Sequence, residues 1–361
     1  MPGSLCAYLL ATVLSLVLLE SLLWVSDIVV PPSVSRELRW REKHKSDVPV
    51  ITQKRLDRYS PQLGWELKPN VRSEDLTSNS MGLRGRREYD IKQPLDSRRI
   101  LCVGDSFIFG QNLTDEQTMP TQLETILDRH GNWEVLNLGV HGYGTDQQWL
   151  RLEGLGFQYS ADVVVLGFFE ENIRRNVLSF RDYAKPYFEL ENAKLVIRNS
   201  PVPSPEELLS SEVKWPSCTL RILCVLEHAF TELILQTPHL PPLELTRAAQ
   251  VTLALLDTMR TASINRGMLF IVMNIPRRLY SEPTKVETLI RRWAERSGTP
   301  FINLREKFLQ LPKDDQQRLY SGHWTPYGAK MAAKEVASAI LEIMGERNRQ
   351  ARLTYTAEGD I

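Results

Sequence analysis

From Arg98 onward, short apolar runs alternate with helical patterns, and this alternation restricts the chain to few architectures. The apolar runs fall at Ile100–Val103, Glu134–Leu138, Val163–Phe169, Met268–Met273 and Phe301–Leu304. Helical spacing occupies Thr118–His130, Thr145–Leu152, Leu243–Asn265, Lys285–Ser297 and Tyr327–Met344. Strands rich in Val, Ile and Leu that alternate with helices predict an α/β fold with a parallel sheet covered on both faces. Residues 176–241 break the rhythm. They hold a hairpin pattern (Tyr187–Leu190 with Leu195–Arg198), the turn Pro201-Val202-Pro203-Ser204-Pro205 and one apolar helix, Leu220–Gln236, and read as an insertion between the third and fourth strands. Residues 59–98 look irregular, since Pro61, Pro69, Gly82, Gly85 and Pro94 interrupt any long periodicity.

The first apolar run leads directly into Gly104-Asp105-Ser106. A serine on the turn after a strand sits at the carboxyl edge of a parallel sheet, where α/β proteins bind ligands. Glycine at 104 is expected to permit the backbone conformation of that turn. Because all parallel strands end at one edge, Ser106, Gly139 after the second strand and the 170–172 segment after the third should converge. Acyl transfer needs a nucleophile, a base for its proton and donors for an oxyanion. Ser106 can supply the oxygen and one N–H, Gly139 a second backbone N–H, Asn172 a side-chain amide, and His323 the general base. Simpler roles exist for each: a helix N-cap for Ser106, a tight turn for Gly139, a loop hydrogen bond for Asn172 and a surface position for His323. Asp105 reads as a turn-stabilising residue. His141 reads as a loop residue, and Trp149, Trp324 and Tyr143 as core aromatics before cleft linings.

Composition adds exclusions. The 361 residues allow one large or two ordinary domains. Lys+Arg and Asp+Glu number 44 each, so no global field attracts nucleic acid. The four cysteines, Cys6, Cys102, Cys218 and Cys224, lack metal-ligand spacing. Cys102 reads as a strand-core residue. Cys218 and Cys224 are close enough to pair in an oxidising compartment, but two reduced thiols fit equally.

The N-terminus departs from this globular pattern. Pro2 to Leu19 carries no charge, and with Glu20 tolerated the apolar stretch reaches Val25. About twenty such residues cross a bilayer as a helix, and Glu20 would lie near one end, within reach of the interface. A cleavable signal peptide is the rival, but a basic leading segment and a small-residue cleavage site are not evident. An uncleaved single-pass membrane anchor over residues 1–30 is therefore expected, followed by a proline-bearing stalk over 31–62. The main domain is expected over 63–345 and a polar, fraying tail over 346–361. Arg36, Arg39, Arg41, Lys43 and Lys45 follow the span and no basic residue precedes it, which by the positive-inside rule puts the domain in the cytoplasm.

At these residues the chain resembles the SGNH (GDSL-type) hydrolase family, in the branch with an N-terminal membrane segment. Gly104-Asp105-Ser106-Phe107 matches the first of its four blocks, and Asn137-Leu138-Gly139-Val140-His141-Gly142-Tyr143-Gly144-Thr145-Asp146-Gln147 the second. Leu63-Gly64-Trp65 with Lys68-Pro69-Asn70, and Asn79-Ser80-Met81-Gly82-Leu83-Arg84-Gly85, look like that branch's lead-in. The resemblance spans about Leu63 to Ile343. It implies a three-layer α/β/α flavodoxin-like fold, ester or acetyl-group chemistry often on carbohydrates, and no metal or organic cofactor. It also implies an extracytoplasmic domain, against the charge rule, and that orientation is the one expected here.

Two positions depart from the family pattern. The third block, usually Gly-x-Asn-Asp, is Gly167-Phe168-Phe169-Glu170-Glu171-Asn172-Ile173, so a one-residue shift would present Glu171 in place of Asn172. The aspartate normally two or three residues before the histidine is replaced by Ser321 and Tyr320, leaving Asp314, Asp315 or a carbonyl to orient the ring. The expected function is a serine esterase acting on an O-acyl group, with a glycan as a candidate carrier, through Ser106 and His323, with Gly139 and Asn172 as oxyanion donors. An O-acyltransferase using the same serine and a non-catalytic glycan- or partner-binding relative are the alternatives.

Overall fold

The computed structural model describes residues 2–25, 32–44, 51–52, 55–213, 220–236 and 246–358. Five parallel strands form the central sheet: β1 (Ser97–Gly104), β2 (Asn132–Asn137), β3 (Val163–Phe169), β4 (Leu269–Ile275) and β5 (Phe301–Asn303), in the order β2-β1-β3-β4-β5. Register pairs Cys102 with Asn137, Gly104 with Gly167 and Asn274 with Asn303, so the strands finish along one edge. The order reverses at β1, the topological switch point beside which open α/β sheets bind ligands.

Strand alternation divides the core in two. Leu101, Val103, Val164, Leu166 and Phe168 point to one face, where they pack with helices Thr145–Gly154, Arg247–Ile264 and Lys285–Ser297. Ile100, Cys102, Val163 and Val165 point to the other, against helices Met119–Leu127, Leu304–Leu309 and Pro326–Glu358. The result is a three-layer α/β/α sandwich with a parallel sheet, as expected. Side chains of successive residues leave opposite faces of a strand, so continuous apolar runs are what a doubly covered sheet requires. The final helix continues to Glu358, past Met344 where its apolar periodicity stops and into the segment expected as a polar tail.

The expected stalk takes a different form. Helix Pro32–Lys43 packs onto the domain, with Val34 and Trp40 buried, and a short hairpin pairs Asp57–Ser60 with Gly64–Leu67. Trp40 meets the rings of Phe180 and Tyr183 at 6.2 and 5.2 Å. These residues join Leu63, Trp65, Val140, Tyr143, Val202 and Leu208 in a third apolar cluster. The lead-in, the helix after the N-terminal span and part of the insertion thus form one body over the loop that follows β2. A sequence of mostly polar residues conceals this because only two positions in the helix need to be large and apolar to seat it.

The insertion holds the expected hairpin, Tyr187–Glu191 with Lys194–Arg198, and helix Arg221–Gln236. Cys102 is a free buried thiol, as its place in the strand suggested. The question of a Cys218–Cys224 pair falls outside the described residues. The N-terminal helix Pro2–Val25 is long and apolar enough to span a membrane, with a mean hydropathy of 2.1 over Cys6–Leu23.

Candidate active site

Ser106 begins a four-residue helix, Ser106–Phe109, directly after β1. Asp105 is its N-cap: one carboxylate oxygen accepts the Phe107 N–H at 3.1 Å, which satisfies a donor that the first turn leaves free. Gly110 closes the helix in the left-handed conformation, φ 81°. Gly104 has a different role from the one expected. Its φ is not positive, but a Cβ there would lie 2.2 Å from Ile108 Cγ1, so glycine is required because the helix folds back onto the strand.

The loop after β2 docks on this helix. Asn137 Nδ2 donates to the Ile108 carbonyl at 2.9 Å, and Asn137 Oδ1 accepts the Gly139 N–H at 3.0 Å. A Cβ on Gly139 would come within 2.3 Å of Phe109 N, so any side chain would push the loop off the helix. The Gly139 N–H is thus held by Asn137. Trp65 Nε1 donates to the His141 carbonyl at 3.1 Å, and the Tyr143 hydroxyl donates to the Trp65 carbonyl at 2.5 Å, which ties the lead-in to the loop.

The segment after β3 supplies a one-turn helix, Asn172–Arg175. Asn172 is fully buried, and its Nδ2 has no hydrogen-bond partner among the described residues. Glu171 sits at the rim, with ion pairs to Arg174 (3.1 Å) and Arg277 (3.0 Å). The register that puts the amide inward and the carboxylate outward is therefore the one adopted. Arg175, three residues after Asn172, organises the interior. Its Nη1 donates to Asp105 Oδ2 (2.7 Å), the Tyr143 carbonyl (2.9 Å) and Asn172 Oδ1 (3.1 Å), linking the segments after β1, β2 and β3. Its place one helical turn after Asn172 was the available sequence signal, though many arginines share that spacing.

His323 comes from a tight hairpin, Tyr320–Ser321 against His323–Trp324, with Gly322 at φ 74°. Its Nε2 lies 2.8 Å from Ser106 Oγ. The imidazole packs on Phe107 (centroids 5.1 Å), which also contacts Phe169 (4.9 Å) and Trp324 (5.0 Å). Asp315, one of the acids considered for orienting the ring, bonds to Arg318 at 3.0 Å. Ser321 pairs with His323 across the hairpin and is exposed, whereas Tyr320 is seated among Phe107, Phe308 and Trp324. Behind this hairpin, burial pushes the Glu170 carboxyl up to about 7, aided by Glu287 and opposed by bonding to Thr284. Among the described residues, no group of three or more His, Cys, Asp or Glu side chains is arranged to hold a metal ion.

No family model matches the chain, and no curated protein does. Solved structures do align. A psychrotrophic esterase from a Pseudoalteromonas species, inhibited by monoethylphosphonate, is 12% identical and covers 69% of this chain and 99% of its own, with a TM-score of 0.41. A GDSL-like lipase from Bacteroides thetaiotaomicron is 12% identical, covers 68% and 89%, and has a TM-score of 0.38. A two-domain esterase active on acetylated mannans is 9% identical, covers 70% and 51%, and has a TM-score of 0.40. At these scores the architecture of the present chain rests on its own strand order and register.

Proposed function

We propose that the chain is a serine esterase of the SGNH type that hydrolyses an O-acyl ester, with Ser106 as nucleophile and His323 as base. The observation that carries this reading is the 2.8 Å separation of Ser106 Oγ and His323 Nε2, between residues 217 positions apart. That distance is within reach for direct proton transfer. Ser106 Oγ attacks the acyl carbon while its proton passes to His323 Nε2. The tetrahedral oxyanion collapses, the alcohol leaves with that proton, and water repeats the sequence on the acyl-serine.

For the oxyanion, the two donors best supported are the buried Asn172 amide and the Ser106 N–H in the first helical turn. Gly139 contributes chiefly by its missing side chain, since its N–H is bonded to Asn137. Asp105, tied to Phe107 N and Arg175, holds the turn and takes no part in proton transfer. An acylated glycan is one substrate class compatible with this chemistry. The N-terminal helix is read as a membrane anchor and the domain as extracytoplasmic.

A fluorophosphonate probe with a small acetyl ester tests the reading. Labelling at Ser106 and turnover, both lost in Ser106→Ala with folding unchanged, are expected. A wild-type chain that neither labels nor hydrolyses would instead be a binding relative. A reporter fused after Ile361 that is active only in the cytoplasm would overturn the orientation.

A further inference from the structure

Helix Arg221–Gln236 is fastened at both ends. At its start, the Glu20 carboxylate accepts the N–H groups of Arg221 (2.8 Å) and Ile222 (2.9 Å), and Arg221 Nη1 donates to the Leu23 carbonyl (2.7 Å). Toward its end, Ile234 is fully buried in the core cluster on one face of the sheet, and Lys285 Nζ donates to the Ile234 carbonyl at 3.0 Å. The helix therefore runs from the C-terminal part of helix Pro2–Val25 to the α/β domain. At about 1.5 Å per residue it covers about 24 Å.

Between those ties it exposes a continuous apolar stripe. Leu223, Leu226, Phe230 and Leu233 are 49, 56, 48 and 53% exposed. At about 100° per residue the four fall within an arc of about 80°. A helix on the watery surface of a domain carries polar residues on its outward face. Here the flanking Glu227 reaches toward the domain instead, 3.8 Å from Arg247. The first helix is itself apolar and exposed around the turn that carries Glu20, with Leu18 and Leu22 64 and 58% exposed on the side away from the contact.

We propose that helix Arg221–Gln236 lies in the interfacial layer of the bilayer that receives the N-terminal helix, with Leu223, Leu226, Phe230 and Leu233 facing the acyl chains. The proposal rests on the reading of that first helix as a membrane span. Two arguments favour lipid over a second copy of the chain. The stripe begins where the Glu20 end of an anchor meets the interface, the depth at which amphipathic helices settle. Its partner surface is also supplied without a further molecule, because lipid that surrounds the anchor extends over the helix bound to it. The domain is then attached to the membrane at two points and cannot swivel on one.

The test uses the full chain in phosphatidylcholine vesicles, with and without bromine on the acyl chains. Cys6, Cys218 and Cys224 are replaced by serine, and bimane is placed in turn on Leu14→Cys, Leu226→Cys, Phe230→Cys and Glu295→Cys. Bromolipid should quench the first three to a comparable extent and spare Glu295→Cys, which lies on an exposed face of the domain. Quenching of Leu14→Cys with Leu226→Cys and Phe230→Cys as insensitive as Glu295→Cys would overturn the proposal and leave the anchor standing. Loss of quenching at Leu14→Cys as well would remove the anchor, and the proposal with it. An intermolecular Leu226→Cys disulfide without quenching would overturn it in favour of a second copy.

Discussion

Arg175 Nη1 sits 2.7 Å from Asp105 Oδ2, so the residue beside the candidate nucleophile is bound to the segment that carries Asn172. Asp105 is fully buried, and the pair is shielded from solvent. Arg175→Met should destabilise folding by about 3–5 kcal/mol, the usual result of leaving one member of a buried pair alone. Urea denaturation measures it. A loss under 1 kcal/mol would mean that the capping contact to Phe107 satisfies Asp105 without the arginine.

The buried amide gives a sharper test of the oxyanion site. Asn172→Ala should lower kcat about 10²- to 10³-fold, while Glu171→Ala, at the rim, should change it little. Steady-state hydrolysis of an acetyl ester separates the two. The reverse order of effects would assign the donor role elsewhere.

His323 is reached most directly from Ser321. Residues paired across a hairpin have Cβ atoms about 5 Å apart, and Ser321 is exposed, so Ser321→Asp should be accommodated. An acid added there should raise kcat by stabilising the imidazole cation, and the gain should vanish in Ser106→Ala. Tyr320→Asp should fail for another reason, because it buries a carboxylate among Phe107, Phe308 and Trp324. An unchanged kcat for Ser321→Asp would mean that the ring is already oriented.

Glu170 predicts a pH dependence of stability. Its carboxyl is pushed up to about 7 in the folded chain, chiefly by burial, from an unfolded value near 4.5. The folded state then binds the proton more tightly, so stability contributed by the protonated group is full below about 4.5 and is lost as pH rises through about 7. Glu170→Gln should therefore stabilise the protein at pH 8, by an amount on the order of 3 kcal/mol, and change little at pH 4.5. Equal effects at both pH values would show that Glu170 does not titrate in this window.

The Lys185–Asp146 ion pair is completely buried beneath the loop after β2. Burial pushes the lysine down and the aspartate up, and each partner opposes that shift in the other. Lys185→Met should cost about 3–5 kcal/mol, whereas Lys185→Met with Asp146→Leu should recover much of it. Denaturation of the single and double variants is the measurement, and additive losses would contradict the account.

Periodicity is local, and what it encodes was legible in the amino-acid sequence. The five strands, their alternation with helices and the inserted hairpin follow from spacing within short windows, whereas the blocks at Ser106, Gly139, Asn172 and His323 were read from resemblance to a family's motifs. Apolar runs identify a sheet covered on both faces because each strand must bury both sets of side chains. Tertiary structure alone decided which groups meet. Ser106 and His323 approach to 2.8 Å although no local pattern relates residues 217 apart. Gly104 is a glycine because Ile108 folds over it, not because of its φ, and the Gly139 N–H is taken by Asn137. Helix Pro32–Lys43 reads as a polar stalk until Trp40 finds Phe180 and Tyr183 on the distant insertion. Hydrogen bonds and close contacts act over a few ångströms in space, so their partners are fixed only when the sheet has brought the strand ends together.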